Sequence, residues 1–461
     1  MRSVREVMES RSLAVIGASR DPQKAGSMLL QFIKKTGFQG QVAGVNPQGG
    51  EVHGVTLYSS LDKIPFDVDL CVFYIPPKLV PGVLIDCAKK GVKGVVISSE
   101  GFAESGPEGR TVQEDVRRVL QETGMRGFGP NTLGVINTQT GLTTSYFADK
   151  QMLTPGSIGF ASQSGIFIGA VMRYISSVEG LSLSKGLGLG NKVDVDESEA
   201  LAYLMEDEQT KIIGLYLEDI RDGRRFLETA REAASRKPVL VLKSGRSPQG
   251  VRASVSHTGS MAVDDAVMDG ALAQAGVLRM SGLEELIGTL MGFQWMPLPR
   301  GDRLALVTYS GAQAIMSIDK AVDLGLEVAL FTQETRDKIS KVITTPAKAQ
   351  NPVDLYPDMN VYGFEKTTIE VLRALLEDDG VHGIIFTSFA MFGVEPYLAL
   401  VELLAKHRNK PVFFSILGEK ECLRGCTELM RGHRIPVYLF PETAVRVFAN
   451  MRRYAKIAGG L

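Results

Sequence analysis

At three places the chain runs a short, uninterrupted apolar segment straight into a turn of small residues. Leu13-Ala-Val-Ile-Gly-Ala-Ser19, Ile158-Gly-Phe-Ala-Ser-Gln-Ser-Gly165 and Leu306-Val-Thr-Tyr-Ser-Gly-Ala-Gln313 share this form. Hydrophobicity that is continuous rather than alternating marks a strand buried on both faces, the habit of parallel sheets. A small-residue turn leading into a helix gathers backbone N–H groups and the positive helix end at one spot, where an anion can approach closely. More apolar runs follow the same rule, among them Gln41–Val45, Leu70–Ile75, Gly94–Ile97, Ile212–Leu217, Val239–Leu242, Gly383–Phe386 and Val412–Ser415. Helical stretches such as Glu108–Glu122, Gly223–Ser235 and Tyr397–His407 lie between them. Strand, helix, strand at this rhythm predicts doubly wound α/β domains.

The length of 461 residues predicts three such domains at about 150 residues each. A lapse of pattern over Pro130–Pro155 and the Pro-rich stretch Trp295–Gly301 suggest boundaries giving 1–129, 130–296 and 297–461. The 49 glycines show no collagen-like period and are expected in tight loops. Lys plus Arg is 51 and Asp plus Glu is 52, which argues against a broad nucleic-acid surface. Four cysteines in so long a chain make no disulfide framework. No apolar run approaches the roughly 18 residues that span a bilayer, and the charged start Met1-Arg-Ser-Val-Arg-Glu-Val-Met8 is not a secretory signal. A soluble, cytoplasmic protein without nucleic-acid or membrane partners is the expectation.

The first loop, Gly17-Ala-Ser-Arg-Asp-Pro-Gln-Lys-Ala-Gly26, is not Gly-x-Gly-x-x-Gly. The second strand ends in Asn46-Pro47, without the acidic residue that holds a nicotinamide cofactor's ribose, so hydride chemistry loses support. A phosphate-bearing nucleotide at the strand ends is one reading, and a tight turn with no ligand is the other. In the second loop, Ser162 and Ser164 flank a helix start, where they either cap the helix or hold an oxyanion. His257 lies in the polar run Ser254-Val-Ser-His-Thr-Gly-Ser260, with no apolar face to bury an imidazole. Glu218, at the carboxyl end of Ile212–Leu217, either orients an imidazole or caps the next helix.

Read in order, Val15–Ser19 with Gly44–Pro47, Tyr74–Pro77, Ser98–Gly101, Gly127–Asn131, Ser162–Gly165, Glu218, Ser256–Gly259 and Asn351–Leu355 resemble one family over essentially the whole chain. It is the α subunit of the ADP-forming (NDP-forming) acetyl-CoA synthetases, in the succinyl-CoA synthetase-like superfamily. The resemblance implies three Rossmann/flavodoxin-like doubly wound domains with mostly parallel sheets: a CoA-binding domain, a ligase domain carrying a phosphohistidine, and a second ligase domain. Coenzyme A would meet Gly17, Ala18, Ser19 and Arg20 through its phosphates, Asn46 and Pro47 on the adenosine side, and Ile75, Pro76, Pro77, Ser98, Ser99 and Glu100 along the crevice. His257 would be the phosphorylated residue on a swinging loop, with Glu218 supporting its ring. Ser162, Gln163, Ser164 and Gly165 would hold the phosphoryl group.

The implied reaction converts acyl-CoA, ADP and phosphate reversibly into carboxylic acid, ATP and coenzyme A by way of an acyl phosphate. No resident metal site is implied. No Gly-x-x-x-x-Gly-Lys-Ser/Thr loop and no ATP-grasp stretch is present, so Mg-ADP or Mg-ATP would bind an ATP-grasp β subunit, in an α₂β₂ assembly. Phe167-Ile-Gly169 follows the second loop, and the resemblance to this family implies a small monocarboxylic acid as substrate. Gln48 falls where the succinyl-CoA synthetases carry a lysine. The rival reading is a non-catalytic CoA-binding regulatory protein.

Overall fold

Each small-residue turn sits at the carboxyl end of a strand that lies inside its sheet, and this placement organises the fold. The computed structural model describes residues 3–148, 150–250, 252, 264–391 and 393–459. They divide into two compact units, Met1–Met280 and Ser281–Leu461.

The first unit holds two sheets of seven strands. In the first, Ser12–Ile16 pairs in parallel with Gln41–Val45 on one side and Leu70–Phe73 on the other. Gly94–Ile97 and Arg126–Phe128 extend it in parallel, and the antiparallel pair Gly50–Val52 and Val55–Tyr58 closes the opposite edge. In the second sheet, Ile158–Ser162 lies between Leu183–Gly188 and Ile212–Leu217, both parallel to it. Val239–Lys243 and Leu278–Arg279 continue one side, while Val135–Asn137 and Leu142–Thr143 run antiparallel on the other. In the second unit, Arg303–Thr308 pairs in parallel with Glu327–Val328, Gly383–Ala390 and the short Val353–Asp354. All three turns therefore leave the sheet where the strand order reverses, the place where open α/β sheets bind ligands.

The expected apolar runs became strands because both faces are covered. Every residue of Ser12–Ile16, Leu70–Phe73, Gly94–Ile97 and Ile158–Ser162 is buried. Each fully buried Val, Leu or Ile side chain contributes about 1.5–3 kcal/mol by leaving water. Helix ends are set locally: Asp222 caps Gly223–Arg236 by accepting from the N–H of Arg225 (3.0 Å). Asp196 caps Glu197–Glu206 by accepting from Glu199 (2.9 Å).

Three features depart from the sequence reading. The stretch Pro130–Pro155 carries the two antiparallel edge strands, too short and polar to show a period. Leu183–Gly188 is a fully buried strand despite its lysine, because Lys185 pairs with Asp207 (3.3 Å) and donates to Gln209 (2.9 Å). The helix Leu283–Trp295 belongs to the second unit, where it packs on Pro441–Ala458. Tyr438 donates to Gly288 O (3.0 Å), and Asn450 donates to Glu285 (3.0 Å) and Thr289 (3.1 Å).

Candidate active site

The first strand end is a tight loop held by its own polar atoms. Gly17 takes φ +87°, and a side chain there would collide with the Tyr74 carbonyl oxygen and approach Ile75 Cγ2 to 2.8 Å, so only glycine fits. Ser27 Oγ accepts from Ser19 N (3.1 Å), and Asn46 Nδ2 donates to Ala18 O (2.8 Å). Arg20 donates to Gly49 O (2.9 Å) and Gln48 O (2.6 Å), fastening this loop to the turn after Asn46-Pro47. The helix that follows, Ala25–Thr36, starts well after Gly17. Gly17, Ala18, Ser19, Arg20, Asn46 and Pro47 thus form one face at the reversal point of the first sheet.

Beside it lie the ends of Leu70–Phe73 and Gly94–Ile97. Ser99 donates to Ile75 O (2.6 Å), which locks the Ile75-Pro76-Pro77 turn. Ser98 and Glu100 open into a cleft of about 340 Å³. Its other walls are Tyr74, Asn131, Thr132, Leu133, Tyr146, Phe147, Gln163, Ser164, Gly165, Ile166, Gly190 and Asn191. The cleft therefore joins the strand ends of the first sheet to the second small-residue loop. The hydroxyls of Tyr74 and Ser98 are buried without a hydrogen-bond partner of regular geometry. The two hydroxyls face each other, and polar atoms so weakly satisfied in a buried place suit a polar ligand. Burial pushes the Tyr74 phenol well up. Burial, then the Glu100 charge, raises Tyr146.

Backbone ties hold the walls together. Asn131 N donates to Ser99 O (3.0 Å) and Asn191 N to Pro130 O (2.9 Å). Asn191 Nδ2 donates to Glu104 Oε2 (2.5 Å) and Gln113 Oε1 (2.9 Å). Burial works against the Glu104 charge, but hydrogen bonds from Asn191 and from the N–H groups of Phe102 and Gly101 outweigh it and hold its carboxyl below the ordinary value.

In the second loop, Ser164 and Gly165 line the cleft at the start of a helical run from Gly165 to Ser177. Its Phe167–Val171 stretch is a π-turn, a form frequent at functional sites. Ser162 stands apart from the cleft: its Oγ donates to Ser164 O (2.9 Å) and accepts from Ser164 N (3.1 Å), so it shapes the loop from within. Gln163 Nε2 donates to Asp219 (2.6 Å), and its Oε1 accepts from the N–H groups of Glu218 (2.9 Å) and Asp219 (3.1 Å). Glu218 is buried at the end of its strand beside Tyr216, whose phenol is raised first by burial, with the Glu218 carboxylate adding to it. Neighbouring Lys243 is lowered by burial, against the charge of Asp219. His257 lies outside the described residues.

The cleft residues missed by sequence reasoning had uneven signals. Asn131 ends the Gly127-Phe-Gly-Pro-Asn motif, whereas Tyr146, Phe147 and Gly190-Asn191 lie in stretches without periodicity. Among the described residues, no cluster of His, Cys, Asp or Glu could hold a metal ion, and no helix is long and apolar enough to cross a membrane.

Comparison with known proteins accords with this geometry. Residues 11–138 match the CoA binding domain family, and residues 155–293 match the succinyl-CoA ligase-like flavodoxin domain. The α subunit of acetate–CoA ligase [ADP-forming] II of Pyrococcus furiosus is 33% identical over 98% of this chain and 98% of its own length. Acetate–CoA ligase [ADP-forming] II of Archaeoglobus fulgidus is 37% identical over 98% of this chain, which spans 67% of that relative. Among solved structures, the dinucleotide-forming acetyl-coenzyme A synthetase 1 of Ca. Korarchaeum cryptofilum, in complex with phosphate and ADP, superposes with a TM-score of 0.92 at 29% identity, covering 100% of this chain and 98% of that one. A catalytic protein is thereby favoured over the regulatory alternative. The chain belongs to the ADP-forming acetate–CoA ligase family of acid–thiol ligases, over the part that forms the α subunit where the enzyme is split in two.

Proposed function

We propose that this chain is the acyl- and phosphoryl-handling subunit of an ADP-forming acyl-CoA synthetase. The carrying observation is the single cleft that joins the strand ends of the CoA-binding sheet to the helix start at Gly165. Coenzyme A would lie along Gly17–Arg20, Asn46-Pro47 and Ile75–Pro77, its sulfur end entering the cleft past Ser98 and Glu100. Inorganic phosphate would sit on the first-turn N–H groups after Ser164. A helix start offers about 0.3–1 kcal/mol per charge at exposed sites and more when partly buried, and the N–H groups there have no partner within the helix.

Phosphate oxygen attacks the thioester carbon; the C–S bond breaks and coenzyme A leaves as the thiol. An imidazole nitrogen of His257 then attacks phosphorus, the P–O bond to the acyl group breaks, and the carboxylate leaves. A terminal oxygen of ADP takes the phosphoryl group as the N–P bond breaks. Glu218 would fix the imidazole's orientation, and Ser162 and Gln163 would keep the loop in shape. Mg-ADP would be held by a partner of the ATP-grasp type, with an α₂β₂ assembly and a cytoplasmic setting as further expectations. Among the described cleft-lining residues Glu100 alone carries a charge, which favours small monocarboxylic acids over dicarboxylic ones.

The test is His257→Asn, assayed with the partner subunit. Nucleotide formation should stop while phosphate-dependent acyl phosphate formation continues. Undiminished ATP synthesis would overturn the reading.

A further inference from the structure

Beneath the candidate phosphate loop lies a group of charges that the reaction steps leave unused. Lys192 and Glu197 are both almost wholly buried. Lys192 Nζ donates to Glu197 Oε2 (2.9 Å), to Asp219 O (3.2 Å) and to the Asp219 carboxylate. All three of its protons are therefore used. Glu197 Oε1 accepts from Arg221 N (2.7 Å). The Asp219 carboxylate also accepts from Gln163 Nε2, and Gln163 Oε1 receives the N–H groups of Glu218 and Asp219.

The turn that carries Glu218 is thus gripped at residues 218, 219 and 221 by three different side chains. One of these, Gln163, also lines the cleft. Lys192 itself takes φ +55°, a left-handed conformation that a side-chain-bearing residue keeps only when its surroundings dictate it.

We infer that Lys192 and Glu197 are positioning residues for phosphoryl transfer, setting Gln163 and the Glu218 turn against the helix start at Gly165. The inference rests on the ligase reading above. Buried ion pairs are costly, and well-packed apolar residues of the same volume often give equal or greater stability. A need to aim hydrogen bonds accounts for these charges where simple packing does not. Misplacing a catalytic group by about 1 Å can cost on the order of 100-fold in rate. The Gly17–Arg20 loop shares no hydrogen bond with this network, so coenzyme A affinity should be spared.

The experiment compares Lys192→Met, Gln163→Leu and the double variant Lys192→Met/Glu197→Gln, each with the partner subunit, by steady-state kinetics and thermal unfolding. Lys192→Met and Gln163→Leu should lower kcat by on the order of 100-fold while KM for coenzyme A stays within about twofold. The double variant, which leaves no unpaired Glu197, should recover thermal stability without recovering kcat. Recovery of both together would make the network merely structural and overturn the inference, as would a near-normal kcat in Lys192→Met. Should Lys192→Met fail to fold, the double variant and Gln163→Leu decide between the same outcomes. Absence of activity in the unmodified pair would overturn the ligase reading, and this inference with it.

Discussion

Gly190→Ala should damage the cleft more than an ordinary loss of a left-handed glycine. Gly190 has φ +53°, and a Cβ there would collide with the Pro130 carbonyl oxygen and stand 2.8 Å from that of Asn131. Both oxygens are backbone atoms of a wall segment, so relief requires moving Asn131 itself. The left-handed conformation costs a non-glycine residue about 1–2 kcal/mol, and forcing an extra methyl into a filled space adds about 1–3 kcal/mol. Gly91, in the same unit, supplies the control: its φ is +81° with nothing within 4 Å of a built Cβ. Gly91→Ala should therefore show the first cost alone. Urea unfolding of both variants should separate them by about 1–3 kcal/mol, and only Gly190→Ala should raise KM for phosphate and acyl-CoA. Equal destabilisation with unchanged kinetics in both would refute the claim that Gly190 keeps the Pro130–Asn131 wall in place.

Glu218→Gln should slow phosphoryl transfer to ADP while coenzyme A binding, measured by calorimetry, stays unchanged; a normal rate would remove Glu218 from the mechanism. Ser162→Ala should cost about 1 kcal/mol through the lost bonds to Ser164 and raise KM for phosphate, measured by initial rates. Glu104 is depressed below its ordinary value of 4.5, so its ionised form stabilises the folded state above that value and the benefit fades as pH falls through the lower folded value. Acid unfolding of Glu104→Gln should accordingly show a shallower loss of stability below about pH 4.5 than the unmodified chain.

The fold was legible wherever burial was uniform. Leu13–Ile16 and Gly94–Ile97 are apolar throughout because both faces are covered, and they were readable as strands from composition alone. Leu183–Gly188 was hidden because its lysine is neutralised by Asp207, a residue distant in sequence, and no local pattern announces a tertiary ion pair. The short edge strands carry too few residues for a period of two to register. At the site, the small-residue turns marked where anions could approach, since that demand falls on the backbone locally. The resemblance supplied the roles of His257 and Glu218. Tyr146 and Phe147 were invisible because their place in the cleft depends on how the strands of two sheets end side by side. The Lys192–Glu197–Asp219 network was equally hidden: charged residues near Asp and Gly read as solvated loop until burial is known.

The central claim is that His257 carries the phosphoryl group between the acyl phosphate and the nucleotide. Incubating the chain and its ATP-grasp partner with γ-labelled ATP, then digesting and mapping the labelled peptide, tests it most directly. The account predicts acid-labile, alkali-stable phosphate on His257, discharged on adding carboxylic acid and coenzyme A. Label on another residue, or active turnover with no phosphohistidine at any time, would contradict it.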